Sequence, residues 1–127
     1  MKKVIYSILT VLFGIFLGSI TYHLNLIDGS IFDIPYFLVA FISLSLFSLI
    51  LTYLFVYLLP NKPLLIVVLF YAGIFVAIIS RIIYDSIYAI SSHNLLGLEI
   101  IIFSILSLPF AFAGAYMGHF AKNSKRN

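Results

Sequence analysis

The chain has 127 residues, 64% of them hydrophobic and 9% charged, with a mean hydropathy of +1.22, no cysteine and a formal net charge of +3. A soluble domain carries roughly 45–50% apolar and about 25% charged residues, and a chain this short could not hide so much apolar surface from water, so the composition excludes a water-soluble globule. It also excludes disulfides, thiolate metal centres and cysteine nucleophiles. The basic residues sit at the chain ends and in one turn, a distribution that suits a membrane surface and argues against nucleic acid as a partner.

Met1-Lys2-Lys3 precedes an apolar run over 4–22. The run exceeds the roughly 7–15 apolar residues of a signal peptide, and no A-x-A-like site follows, so it is read as an uncleaved first transmembrane helix. Gly14 and Gly18 are four apart and let another helix approach closely, within the chain or in a dimer. Residues 23–34 form a polar connection. Asp28-Gly29-Ser30 has turn chemistry, Asp33 is placed to cap the next helix, and Pro35 suits a first turn.

The second span is predicted over 35–59. Ser45, Ser48 and Thr52 fall at i, i+3 and i+7 and share one face. In lipid that face turns toward other helices, either as packing hydroxyls or as the lining of a polar path. Pro60-Asn61-Lys62-Pro63 ends this helix and starts the next, which makes spans two and three an antiparallel hairpin. The third span covers 64–84 and carries the small residues Ala72, Gly73 and Ala77. Arg81 falls in its last turn, where a cation complements the helix dipole, and Asp85 follows four residues later on the same face. Beyond it, Ser91, Ser92 and Asn94 are cap formers, and Glu99 is expected near the start of the following helix. The fourth span is predicted over 97–118. Pro109 is expected to kink it, and Gly114 and Gly118 repeat the small-residue spacing of the first span. Lys122, Lys125 and Arg126 lie in a short polar tail.

Four spans put both ends on one side, together with the 60–63 turn. That side collects Lys2, Lys3, Lys62, Lys122, Lys125 and Arg126, and the other holds Arg81 with Asp28, Asp33, Asp85 and Glu99. The positive-inside rule therefore predicts cytoplasmic termini. Tyr6, Tyr57 and Tyr116 are expected at the inner interface, and Tyr22, Tyr36, Tyr84 and Tyr88 at the outer one, as an aromatic belt.

No Asp, Glu, Lys, Arg or His falls in the middle of a span. Ion-coupled transporters need such residues, which are costly in lipid and mark function, so their absence argues against that class. There is also no Gly-rich phosphate loop, H-E-x-x-H or G-x-S-x-G, and enzymatic chemistry is not expected. Arg81 and Asp85, with Glu99, are the candidates for an outer-face interaction, as an anion or headgroup contact or simply as an ion pair anchoring a helix end. His23 and His93 share the acidic side, yet their spacing matches no ligand motif, so neither a metal nor another cofactor is predicted.

The expectation is therefore an all-α integral membrane domain, with four transmembrane helices in an up-down antiparallel bundle over the whole chain. Small size, high isoleucine content and lack of cysteine suggest a bacterial cell membrane. Two function classes remain open. One is a non-enzymatic accessory, regulatory or immunity-type protein acting through helix contacts with lipid, another membrane protein or itself, for which Gly14, Gly18, Gly73, Ala77, Gly114 and Gly118 are the packing residues. The other is a small homo-oligomeric channel or transporter with Ser45, Ser48 and Thr52 along its path.

Overall fold

A computed structural model describes residues 1–25, 29–88 and 94–125. Four helices dominate it: α1 (Lys2–Asn25), α2 (Tyr36–Leu58), α3 (Pro63–Tyr88) and α4 (Asn94–Ser124). All four are long and apolar enough to cross a membrane. Even the shortest, at 23 residues, is about 35 Å long at 1.5 Å per residue, against roughly 30 Å of hydrocarbon. The chain is a multi-pass membrane protein. Three of its helices overrun the predicted spans, because a lipid-spanning helix need not stop where hydropathy falls, whereas α2 stays within the predicted 35–59. Both α1 and α3 gain a further turn beyond 22 and 84, and α4 continues past 118 to Ser124.

The order of packing departs from the order of the chain. The closest partner of α1 is α3, and the closest partner of α2 is α4. Both pairs are parallel. Gly14 lies against Gly73 and Gly18 against Ala77, so residue numbers rise together along α1 and α3. Likewise Gly114 lies against Leu49 and Gly118 against Tyr53. The remaining sides of the bundle are antiparallel: α1 meets α2 through Phe13 and Phe55, whose rings are 5.3 Å apart, and α3 meets α4 through Tyr71 and Ser107. The helices thus run around the bundle as α1, α3, α4, α2. The hairpin expected from Pro60–Pro63 exists as an antiparallel pair joined by a short turn, but α2 and α3 sit diagonally and touch less than either does its parallel partner.

Glycine explains that order. A Cβ added at Gly14 would run into the Phe70 carbonyl, and one at Gly73 into the Val11 carbonyl. At Gly18 it would come within 2.8 Å of the Ile74 oxygen, and at Gly118 within 2.5 Å of the Tyr53 oxygen. In lipid no hydrophobic force distinguishes one apolar helix face from another, so the faces that allow backbones to touch decide which helices pair.

The exterior is apolar and the interior partly polar, the reverse of a soluble fold. Leu12, Phe16, Leu64 and Phe120 are exposed, whereas Thr10, Thr21, Ser45, Ser48, Thr52, Ser104 and Ser107 are buried. Most of these hydroxyls bond back within their own helix. Thr10 donates to the Tyr6 carbonyl at 2.8 Å, Thr21 to Leu17 at 2.9 Å and Ser104 to Ile100 at 2.8 Å. Helix α4 is continuous through Pro109.

At the end carrying the termini, Lys122 closes the last turn of α2. Its ammonium donates to the carbonyls of Leu59 at 2.6 Å and Val56 at 3.3 Å, groups that the helix itself leaves without partners. Asn61 reaches Ser7 of α1 at 3.4 Å. The opposite end carries a small antiparallel hairpin, β1 (Ser30–Ile31) and β2 (Ile34–Pro35), that the sequence reading did not contain. Its two turn residues, Phe32 and Asp33, both have positive φ, 51° and 62°, as a tight hairpin turn requires. Asp33 is therefore a turn residue and not a cap. Pro35 is the N-cap of α2, with no side-chain hydrogen bond to it. The expected Asp28 turn residue, the caps Ser91 and Ser92, His93 and Arg126 fall outside the described residues.

Candidate functional site

Two polar constellations stand out in the bundle, one at its centre and one at the end away from the termini.

The central one is built on α2, α3 and α4. Ser45, Ser48 and Thr52 share one face of α2, as their spacing predicts, and all three are buried. Thr52 donates to the Ser48 carbonyl at 2.6 Å, and the same hydroxyl lies 2.9 Å from the Ala111 carbonyl of α4. Opposite Ser48, the Tyr71 hydroxyl of α3 lies 2.7 Å from the Ser107 hydroxyl of α4 and 3.4 Å from the Ser48 hydroxyl. Ser107 in turn reaches the Ser104 carbonyl at 2.8 Å. One phenol therefore links three helices near their midpoints. Ser45 differs: its hydroxyl oxygen is buried and has no partner among the described residues.

Sequence reasoning found the α2 half of this cluster and missed the other half. The signal was available. Tyr71 is a tyrosine well inside an apolar span, far from the interfaces that tyrosine prefers. Ser104, Ser107, Ala111, Gly114 and Gly118 also form one stripe of small residues down α4 at alternating steps of three and four. That stripe meets the hydroxyl face of α2. At Gly114 an added Cβ would strike the Leu49 carbonyl and lie 2.6 Å from the Thr52 hydroxyl, so glycine there protects the hydrogen bond across the seam.

The second constellation ends the α1–α3 seam. Arg81 Nε is 3.2 Å from Asp85 Oδ1, the i,i+4 pair expected from sequence. The other carboxylate oxygen of Asp85, Oδ2, accepts the Tyr22 hydroxyl of α1 at 2.9 Å. The place of Tyr22 near a span end suggests the interfacial belt, but the side chain is buried and works inside the bundle as this donor. Its ring fills the space beside the seam while its hydroxyl finds a charged acceptor, a combination that a tyrosine at a helix end permits. The guanidinium carbon of Arg81 also lies 5.2 Å from the centre of the Tyr84 ring. Ser19, Tyr22, His23, Ala77 and Arg81 line a pocket of about 200 Å³ at this point.

Glu99 does not join Arg81 and Asp85. It lies past the first turn of α4, because that helix begins at Asn94, and it lines a separate, mostly apolar pocket of about 310 Å³ with Phe37, Ile102 and Phe103. The six small packing residues all serve contacts inside the chain: Gly14, Gly18, Gly73 and Ala77 between α1 and α3, and Gly114 and Gly118 between α2 and α4.

No family model, curated protein or solved structure matches this chain.

Proposed function

We propose that this protein resides in a bacterial cell membrane with both termini in the cytoplasm, and that it acts without catalysis, through contact of its lipid-facing helix surfaces with another membrane protein or a second copy. Accessory, regulatory and immunity-type roles are all of this kind. The carrying observation is that both small-residue seams close within the chain. The bundle is then self-sufficient, and its exterior is what remains for contact. On α1, Val4, Ile8, Leu12 and Phe16 form one exposed stripe at steps of four. Photo-crosslinking from Ile8, Leu12 and Phe16 in the native membrane tests the reading. A discrete, repeatable adduct with an identified membrane protein or with a second copy supports it, and adducts with lipid alone overturn it. The threading is supported by the one-sided Lys and Arg distribution. A C-terminal reporter active only outside the cytoplasm would overturn it.

A second reading, a homo-oligomeric channel or transporter with a hydroxyl path, is favoured by one observation: the unpartnered, buried Ser45 hydroxyl. A path needs hydroxyls that can exchange partners with something passing. Replacing Ser45, Ser48 and Thr52 together by Ala removes flux in proteoliposomes under this reading. Under the contact reading it changes stability only.

A further inference from the structure

The end of the α1–α3 seam has the parts of a phosphate-binding site, and its wiring shows how. Asp85 is occupied on both oxygens, by Tyr22 on one and by Arg81 Nε on the other. This fixes the guanidinium through its inner nitrogen, and the Tyr84 ring lies against it. Among the described residues, nothing engages the two terminal nitrogens of Arg81, and the side chain is 50% exposed. A planar guanidinium held in this way presents the paired N–H donors that match the oxygens of a phosphate. It does so in a pocket whose other walls include Ser19, whose hydroxyl donates to the Ile15 carbonyl at 2.8 Å, and His23.

The same face of α1 continues toward the hydrocarbon. Phe16, Ser19 and His23 fall at i, i+3 and i+7, and Phe16 is exposed. A ligand with its phosphate at Arg81 can lay an acyl chain along Phe16. We propose that this pocket binds a phosphate group, supplied by the headgroup of a membrane phospholipid, with Arg81 as the direct ligand and Asp85 and Tyr22 as its positioning residues. The site does not depend on whether the helix exterior has a protein partner.

Native mass spectrometry of the purified full-length protein in detergent tests this, with dioleoylphosphatidylglycerol as the probe and dioleoylglycerol as a control with the same tails and no phosphate. The phospholipid is expected to be retained in single copy, roughly tenfold more tightly than the diglyceride, and Arg81→Gln is expected to abolish that preference. Ser19→Leu fills the pocket from an exposed position and is expected to weaken phospholipid retention while leaving the helical circular dichroism unchanged, which keeps the test valid if Arg81→Gln fails to fold. Displacement of the lipid by millimolar inorganic phosphate would support the phosphate site with a soluble source. Failure to displace it supports the lipid source. Equal retention of phospholipid and diglyceride by the unaltered protein overturns the proposal, as does full retention by both variants.

Discussion

The two parallel seams use the same device to different ends. Between α1 and α3, small residues bring backbones together along the seam, and polar chemistry appears where the helices emerge, as Tyr22, Arg81 and Asp85. Between α2 and α4, glycine governs the half nearer the termini, and hydroxyls take over at the centre, where Thr52 crosses to the Ala111 carbonyl and Tyr71 joins from α3. The first seam is held by close backbone approach and sealed by charge at one end. The second adds hydrogen bonds that lipid cannot replace. Small residues therefore decide which helices pair, and polar groups decide where along the pair the contact is pinned.

The largest effects are expected from filling either seam. Gly14→Ala, Gly73→Ala and Gly114→Ala each drive a methyl into a backbone carbonyl that cannot move without moving its helix. Each should cost roughly 2 kcal/mol or more in reversible unfolding from mixed micelles, the upper part of the overpacking range. Gly114→Ala should be the worst of the three, because it also displaces the Thr52 hydroxyl. If all three variants unfold like the parent, close packing is not what selects the pairs.

An intermediate effect is expected at the charged end of the first seam. Tyr22→Phe keeps the ring but removes the donor to Asp85, a bond to a charged acceptor that is partly exposed. A loss of about 1 kcal/mol is expected, below the 1.5–3 kcal/mol of a fully buried charged bond. A loss too small to measure would mean that Asp85 recruits water in its place.

The smallest effects fall in the hydroxyl centre, and they sharpen the contrast within it. Tyr71→Phe should cost about 0.6 kcal/mol, the mean for hydrogen bonds between membrane helices. By comparison, Ser45→Ala should be neutral within about 0.5 kcal/mol or slightly stabilising, since it removes a buried oxygen that has no partner. A large loss of stability at Ser45 would reveal a partner for that hydroxyl, and an unchanged stability with altered flux would favour the path reading.

By itself, the sequence determined the class of solvent, the number of crossings and the shared face of Ser45, Ser48 and Thr52. Each of these follows from local properties: hydropathy over a span's length, proline and turn residues at its ends, and a helical period that places i, i+3 and i+7 together. Gly14, Gly18, Gly114 and Gly118 could likewise be read as contact points, because a missing side chain is visible in sequence. Their partners could not. Any apolar helix face is equally at home in lipid, so hydropathy carries no information about which helix meets which, and adjacency in the chain pointed to α2 beside α3. Only the tertiary structure set α1 on α3 and α2 on α4, an arrangement in which Gly14, Gly18, Gly73, Gly114 and Gly118 each meet the backbone of the partner helix where a side chain would clash. It also turned Tyr22 from an interfacial anchor into the donor that fixes Asp85, and brought Tyr71 to Ser107. Those contacts join residues 63 and 36 positions apart, and no local period encodes them.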